Sequence, residues 1–209
     1  MLDEATVRQL LEPFGLNLTN HQVGQLIAYL ELLLRWNQRI NLTGIRDWKS
    51  CVTRHFGESL YLGRWVGLNG KLLDIGSGAG FPGLSLKIIF PDLSVTLLEP
   101  VAKKRAFLKE VARVCGMNFV EVRGERLEGF ARGQSAAVYD GVTARAVGHL
   151  EELLPLAWRC LKSGGEIFLW LGHQQTSEVG HIRSGIKEIG RITLPSGGQG
   201  EIWWGKKMF

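Results

Sequence analysis

The chain is organised around residues 71–99, which read KLLDIGSGAGFPGLSLKIIFPDLSVTLLE. Leucine and isoleucine dominate its start, as they do in a parallel strand that is buried on both faces. Three glycines between positions 76 and 80 then indicate a bend, and the apolar residues that follow recur at helical spacing until Pro91. A second β-rich run ends in Glu99. We therefore predict a strand, a glycine turn, a helix and a second strand, which together form half of a nucleotide-binding α/β fold.

Two details distinguish this turn from a dinucleotide-binding fingerprint. The fingerprint has a glycine at its sixth position, where a helix N-terminus receives a pyrophosphate, but here that position is Phe81. Asp74 would also repel a pyrophosphate. A nucleoside with a cationic amino group and no phosphate fits both departures, and S-adenosylmethionine (AdoMet) is such a ligand. The predicted AdoMet site therefore includes Asp74 and the turn glycines Gly76 and Gly78, with Glu99 at the ribose hydroxyls.

Composition places the chain among ordinary folded proteins. Its 209 residues suffice for one α/β domain with an appendage, and 45% of them are hydrophobic and 22% charged. No apolar run is long enough to cross a bilayer, and the start, MLDEATVRQL, is acidic where a signal peptide would be basic. We expect a cytoplasmic protein. Cys51, Cys115 and Cys160 lack metal-ligand spacing, so we expect reduced thiols and no metal.

Positive charge is concentrated in two segments. Positions 35–64 contain six basic residues and two acidic ones, and positions 103–126 contain seven and three. Clustered lysines and arginines are typical of surfaces that contact nucleic-acid phosphates, although a net charge of +5 alone is compatible with an ordinary solvated surface. The residues that we expect to contact RNA are Arg35, Arg39, Arg46, Arg54, Lys103, Lys104, Arg105 and Arg126.

Residues 1–65 are predicted to form a helical extension that precedes the nucleotide-binding part, residues 66–209. Thr19 and Gln22 form a capping-box pattern ahead of a helical stripe of apolar residues. A polar loop follows Trp36, and its side chains either satisfy one another or bind a ligand. A further helix is predicted from Asp47, and it includes His55, a lone histidine of the kind that is more often structural than catalytic.

The rest of the chain alternates between strand and helix patterns. This alternation predicts right-handed crossovers and one doubly wound, mostly parallel sheet. Arg145 follows the fourth predicted strand, at the edge where ligands bind. The predicted strands after Glu99 are 118–122, 137–144, 166–171 and 201–205, and the predicted later helices are 151–162 and 177–189.

With these motifs in this order, the chain resembles the RsmG (GidB) family of 16S rRNA guanine-N7 methyltransferases. Single motifs of this kind are modest evidence, but their order and spacing together are specific. The motifs that support the resemblance are RWNQRINLTGIRD at 35–47, RHFGESL at 54–60, DIGSGAGFPGL at 74–84, KKRAFL at 103–108, RLE at 126–128 and YDGVTARAV at 139–147.

The resemblance implies a seven-stranded, Rossmann-like class I methyltransferase fold with a helical N-terminal extension. It also implies AdoMet as methyl donor, S-adenosylhomocysteine as product, and a guanine in the decoding-region hairpin of 16S rRNA as acceptor. The partner would be 16S rRNA, the small ribosomal subunit or an assembly intermediate, and we expect a monomer. Glu58 departs from the aspartate that is usual in the family. The AdoMet contacts that the resemblance implies are Gly76, Phe81, Leu127, Glu128 and Arg145.

Guanine N7 already carries a lone pair, so its methylation requires neither a base nor a covalent enzyme intermediate. We therefore expect in-line alignment of the reacting atoms to supply most of the rate. Arg145 is our candidate for positioning the base, because arginine donates readily to guanine O6 and would leave N7 accessible.

Three alternatives remain open at this level. A methyltransferase for small molecules or proteins would share the AdoMet site but would not need both basic segments. A non-catalytic RNA-binding protein could retain the fold without AdoMet. An NAD-dependent enzyme is the least compatible with Asp74 and Phe81.

Overall fold

The computed structural model describes residues 2–133, 137–179, 185–195 and 200–209. The N-terminal part is helical, as predicted. Helix α1 is capped by Asp3, and α2 begins with the predicted capping box, in which the Gln22 N–H donates to Thr19 Oγ1 and the Thr19 N–H donates to Gln22 Oε1. Its elements are α1 (Glu4–Leu11), a 3-10 turn (Glu12–Phe14), α2 (Asn20–Asn37), α3 (Trp48–Ser50), a π-helix (Cys51–Gly57), α4 (Glu58–Leu60) and a 3-10 turn (Tyr61–Arg64).

The remaining elements form a seven-stranded sheet with helices on its faces. The strands are β1 (Lys71–Ile75), β2 (Ser94–Leu98), β3 (Val120–Arg123), β4 (Tyr139–Arg145), β5 (Leu161–Gly172), β6 (Ile186–Thr193) and β7 (Gly200–Lys207). The helices are α5 (Gly83–Ile89), α6 (Ala102–Val114), α7 (Leu127–Arg132), α8 (Leu150–Cys160) and α9 (His173–Val179).

The strand order is β3-β2-β1-β4-β5-β7-β6. Strands β1 to β5 run parallel to one another, and β7 runs antiparallel to both β5 and β6. The chain order reverses between β1 and β4, so a ligand crevice is expected at the carboxyl ends of these two strands. The prediction of a doubly wound, mostly parallel sheet is confirmed.

One predicted element is wrong. The helix expected at 177–189 is helical only to Val179, residues 180–184 lie outside the described part of the chain, and Ile186–Thr193 is strand β6. Lysine and glutamate in this segment favour a helix locally, but pairing with β7 places Ile192 opposite Ile202. The strand is therefore selected by tertiary pairing, which overrides a weak local propensity.

Each face of the sheet has its own hydrophobic core. On one face, Phe56 and Phe107 are buried with residues of α1, α2 and α5, so the helical extension shares the core of the sheet. On the other face, Leu73 and Leu154 belong to the cluster that α7 and α8 cover. Burying each such side chain contributes about 1.5–3 kcal/mol. None of the described helices is both long and apolar enough to cross a membrane.

Candidate functional site

The glycine turn between β1 and α5 is fixed to the end of β2. Gly76, Gly78 and Gly80 have φ values of +66°, +56° and +90°, which side chains rarely adopt. The Gly78 N–H donates to Glu99 Oε2 at 2.9 Å, and the Val101 N–H donates to Glu99 Oε1 at 2.8 Å. The structure therefore uses the buried Glu99 carboxylate, which we expected at a ribose, to hold the backbone of the turn.

A cavity of about 280 Å³, which we call the first cavity, opens beside this turn at the carboxyl ends of β1 and β2. Gly76 forms part of its wall, and a Cβ atom there would lie 3.3 Å from Val147 Cγ1. The buried apolar residues of the lining are Ile75, Leu98, Leu127 and Leu153, and the exposed polar residues are Arg126, Glu128, His149 and Glu152.

Only some of the predicted AdoMet residues line the first cavity. Gly76, Leu127 and Glu128 line it, and so does Arg126, which we had predicted as an RNA contact. Asp74, Gly78, Phe81, Glu99 and Arg145 are not among its lining residues. Lining residues that were not predicted include Leu98, Val147, His149, Leu153 and Leu156. Among these, Val147 was within a quoted motif, whereas the α8 residues carried no signal beyond helical periodicity.

Asp74 lies beneath the start of α5. It is 1% exposed, and its Oδ1 accepts a hydrogen bond from the Thr143 hydroxyl at 2.8 Å. Its other oxygen is packed so closely that a Cβ on Gly83 would lie 2.8 Å from it. Burial raises the pKa of this carboxyl to about 6, against the opposing effect of the Thr143 hydrogen bond. Asp74 thus supports the strand–helix junction from within the core.

Phe81 lies in an aromatic stack that joins the glycine turn to the helical extension. Its ring is parallel to Tyr29 on α2, with centroids 5.3 Å apart, and to His55 on the π-helix, at 4.7 Å. The Tyr29 hydroxyl donates a hydrogen bond to the Ala79 carbonyl in the turn. Two helices that precede β1 therefore position the turn.

A second cavity, of about 350 Å³, lies at the carboxyl ends of β4 and β5. Arg54, Glu58, Arg145 and Trp170 line it. Arg145 Nη2 forms an ion pair with Glu58 Oε2 at 2.7 Å and donates to the Arg54 carbonyl at 2.6 Å. Trp170 Nε1 donates to the Glu58 carbonyl at 2.9 Å. Two strands thereby hold the π-helix and α4 at one side of the cavity.

Both terminal nitrogens of Arg145 donate to protein atoms. In addition to the bonds from Nη2, Nη1 donates to the His55 carbonyl at 3.4 Å and to Ser59 Oγ at 3.3 Å. The side chain is only 17% exposed, and this burial lowers the pKa of Arg145, against the raising effect of Glu58. Arg145 is thus primarily a connection between β4 and the helices that precede the sheet.

A four-residue loop, Ala146 to His149, separates the two cavities. Ala146 lines the second cavity and Val147 the first, so the two spaces are adjacent. Ala146 and His149 have φ values of +53° and +55°, conformations that cost non-glycine residues free energy and that often occur at functional sites. Gln175 Nε2 donates to the Val147 carbonyl at 2.7 Å and holds the loop from α9.

His55 connects the π-helix to the polar loop before it. Its Nε2 is hydrogen-bonded to Thr43 Oγ1 at 2.7 Å, and Asn37 Oδ1 accepts from the N–H groups of Leu42 and Thr43. Polar groups of the loop therefore do satisfy one another. Burial, together with the charges of Arg145 and Arg54, lowers the pKa of His55 to about 3, so its ring is neutral at neutral pH.

The predicted RNA contacts fall into two groups. Arg105 and Lys104 are half-buried, and Arg105 Nη1 donates to the carbonyls of Glu99 and Pro100 at 3.1 and 2.6 Å. Arg126 is exposed at the first cavity. Among the described residues, none pairs with the remaining five, which are exposed: Arg35, Arg39, Arg46, Arg54 and Lys103.

The cysteines and potential metal ligands suggest no further centre. Cys51, Cys115 and Cys160 are buried free thiols, and burial raises the pKa of each to about 11. Over the described ranges, no group of three or more histidine, cysteine, aspartate or glutamate residues is arranged to hold a metal ion.

The fold is similar to those of solved methyltransferase structures. A geranyl diphosphate C-methyltransferase from Streptomyces coelicolor, solved with Mg²⁺, geranyl diphosphate and S-adenosylhomocysteine, gives a TM-score of 0.61 at 13% identity and covers 91% of this chain and 98% of that one. A SAM-dependent methyltransferase from Aquifex aeolicus gives a TM-score of 0.59 at 12% identity, over 76% of this chain and 93% of that one. At these identities the likeness concerns the fold alone.

Sequence relatives are more informative. Proteins named ribosomal RNA small subunit methyltransferase G from Chloroflexus aggregans and Roseiflexus castenholzii are 40% and 42% identical to this chain; the matches cover 88% and 85% of it, and 80% and 76% of the relatives. A family profile described as GidB, rRNA small subunit methyltransferase G, matches residues 22–188. Because this match covers most of the chain, the chain belongs to the rRNA small subunit methyltransferase G (GidB) family.

Proposed function

We propose that this protein methylates N7 of a guanine in 16S rRNA, guanine 527 of the decoding-region hairpin in the usual rRNA numbering, with AdoMet as methyl donor. The relatives' names give rRNA of the small subunit as substrate. The observation that carries the proposal is the adjacency of the two cavities, which only the loop from Ala146 to His149 separates. A donor in one cavity and an acceptor base in the other would meet at this loop.

The first cavity fits the nucleoside part of AdoMet. Its buried lining is apolar, as a flat adenine ring requires, and its exposed rim offers the carboxylate of Glu128 and the guanidinium of Arg126 to polar groups. At Gly76 the backbone borders the cavity without a side chain, and a Cβ there would narrow it towards Val147. We assign Gly76, Leu127 and Glu128 to donor binding. Asp74, Gly78, Phe81 and Glu99 would act through the shape of the turn.

When bound, AdoMet supplies a methyl group on a sulfonium, which the N7 lone pair of guanine accepts directly, in line and without a covalent enzyme intermediate. The residues of this chain then need only bind and orient the reactants. The second cavity, with Trp170 as its aromatic wall and arginines at its side, would hold the guanine. His55 is neutral and bound to Thr43, so it needs no role in proton transfer.

The RNA would lie across the exposed cations at the carboxyl edge of the sheet. Arg39 and Arg46 lie on the loop that His55 anchors, and Arg54 borders the second cavity. In this proposal the helical extension, residues 1–65, forms much of the RNA surface, and residues 66–209 bind AdoMet. A monomer in the cytoplasm, with 16S rRNA or an assembling small subunit as partner, completes the proposal.

Methyl mapping on rRNA is the direct test. We expect cells that lack this protein to lose one N7-methylguanine in 16S rRNA, and purified protein with AdoMet to restore it on their small subunits or rRNA. Gly76→Asp should abolish both AdoMet binding and methylation, because its side chain would enter the first cavity. Gly67→Asp is the matched control, since nothing lies within 4 Å of a Cβ there. Unchanged rRNA methylation in the deletion strain would refute the proposal.

The main alternative is a methyltransferase for a small molecule or a protein. The unpaired cations argue against it, because such a substrate would not require a basic surface on both the extension and α6. Salt titration distinguishes the two. Only RNA binding should weaken steeply with salt, as counterions compete for the phosphates.

A further inference from the structure

We propose that Arg54, rather than Arg145, donates hydrogen bonds to O6 of the target guanine, and that Arg145 is a positioning residue. This inference rests on the proposed function and identifies how the same site selects its base. It replaces the role that the sequence analysis gave to Arg145.

The hydrogen bonds of Arg145 are the first argument. Both of its terminal nitrogens already donate to protein oxygens, and its charge is paired with Glu58 at 2.7 Å. To contact a base through its terminal nitrogens, Arg145 would have to give up these bonds in a site where its side chain is only 17% exposed. Breaking the buried ion pair between Arg145 and Glu58 would cost free energy that a single base contact does not return.

Arg54 has the opposite properties. It lines the same cavity and is exposed, and its guanidinium forms no hydrogen bond or ion pair with any other residue of the described chain. Glu58 compensates the charge of Arg145, so among the described residues that line this cavity Arg54 contributes the uncompensated positive charge. The backbone of Arg54 is also held in place, because Arg145 Nη2 donates to the Arg54 carbonyl at 2.6 Å.

The chemistry of guanine favours an arginine at this position. Its major-groove edge presents two acceptors, O6 and N7, and arginine normally donates to both. In this reaction N7 must remain accessible, so the guanidinium would use O6 alone. After transfer the purine carries a positive charge, which Arg54 would repel, and this repulsion would favour release of the product.

Base analogues provide the experiment. We would assemble 16S rRNA by splinted ligation with guanine, 2-aminopurine or inosine at the target position. 2-Aminopurine keeps N7 but lacks O6, whereas inosine keeps O6 and lacks the 2-amino group. The wild-type enzyme should prefer guanine over 2-aminopurine by roughly tenfold or more, both in kcat/KM and in RNA affinity without AdoMet.

Arg54→Met should reduce this preference to nearly one and leave the preference of guanine over inosine unchanged. Arg54→Lys should retain part of it, because lysine keeps a donor but not the planar fork. Arg46→Met is the matched control on the neighbouring loop. It should weaken binding of all three RNAs equally and reduce the salt slope by about one.

Two results would overturn the inference. In one, Arg54→Met keeps the full preference for guanine over 2-aminopurine and behaves like Arg46→Met, which would identify Arg54 as a phosphate contact. In the other, the wild-type enzyme methylates both RNAs equally well. Failure of the proposed function itself would look different, because the wild-type enzyme would then methylate none of the three RNAs.

Discussion

At the scale of single residues, the second cavity is distinguished by a buried ion pair in its wall. The pair of Glu58 and Arg145 is the most buried of the ion pairs between described residues, with side chains 9% and 17% exposed. Surface pairs such as Lys162 with Asp140 are 46% and 35% exposed. A buried pair need not add net stability, but removal of one partner leaves an uncompensated charge away from water.

Glu58→Ala should therefore destabilise the protein by about 3 kcal/mol. Lys162→Met, the control at the surface pair, should cost less than about 1 kcal/mol. Both are measured by urea unfolding followed by circular dichroism. Equal effects of the two substitutions would mean that water screens the Glu58 pair as well as it screens the surface pair.

His55 makes the stability of the protein sensitive to acid. The pKa of His55 is about 3 in the folded protein and 6.5 in a model compound. Between pH 6.5 and pH 3, therefore, the unfolded chain binds a proton at His55 that the folded chain does not bind. Stability is therefore lost as the pH falls below about 6.5. Asp74, with a pKa raised to about 6, acts in the opposite direction between about pH 4 and pH 6.

His55→Gln should remove this acid sensitivity and leave the contribution of Asp74 in place. Relative to wild type, the variant should gain up to about 3 kcal/mol of unfolding free energy between pH 7 and pH 4. The measurement is a series of urea unfolding curves across this range. If the difference between the two proteins were independent of pH, the imidazole would not be the source.

At the scale of elements, the glycine turn is held by helices that lie before it in the chain. Tyr29 on α2 and His55 on the π-helix both stack on Phe81, and the Tyr29 hydroxyl donates to the Ala79 carbonyl. A Cβ on Gly80 would lie 2.2 Å from that hydroxyl oxygen. The turn and α2 thus approach so closely that only glycine fits.

Gly80→Ala should destabilise the protein by about 2–4 kcal/mol, because it combines an overpacked contact with a backbone φ of +90°. It should also weaken AdoMet binding in calorimetry, since the displaced turn includes Gly76. Gly24→Ala is the control, at an exposed α2 position with nothing within 4 Å, and it should stabilise by about 0.5–1 kcal/mol. If Gly80→Ala changed neither the unfolding free energy nor AdoMet binding, α2 would be able to move away from the turn.

At the scale of the whole molecule, the exposed cations that we predict to contact RNA are grouped by the way α2 packs on α6. Lys162 and Lys206 are paired with Asp140 and Glu166, near the amino end of β5. Five of the predicted RNA contacts are exposed and pair with no described residue, and they lie on α2, on the α2–α3 loop, on the π-helix and at the start of α6. Helix α2 runs antiparallel to α6, as the contacts of Gln25 with Cys115 and of Trp36 with Phe107 show. The end of α2 therefore meets the start of α6 on the side of the cavities.

Lys103→Gln should reduce the dependence of RNA affinity on salt, whereas Arg113→Gln should not. Both residues lie on α6, but Arg113 is at its far end and is paired with Glu110 at 2.8 Å. Each lost phosphate contact should lower the slope of log affinity against log salt by about 0.7–0.9. Binding of 16S rRNA at several KCl concentrations measures both slopes. If the two variants had the same salt dependence, the RNA would not contact the start of α6.

The sequence by itself determined the elements whose signals are local. The strand, glycine turn, helix and strand of residues 71–99, the capping box at Thr19 and the position of Arg145 at a strand end all follow from residues a few positions apart. Hydrophobic period, turn chemistry and helix caps depend on near neighbours, so they can be predicted from one sequence.

Only the tertiary structure decided which of the predicted polar groups form bonds within the protein. Asp74 packs against the start of α5, Glu99 accepts a hydrogen bond from the turn, and Phe81 lies in the aromatic stack. Strand β6 lies where the sequence predicted a helix. The partner of Arg145, Glu58, lies 87 positions away in the chain. Such pairings depend on how distant segments pack together, and no local pattern encodes whether a buried side chain finds its partner in the protein or in a ligand.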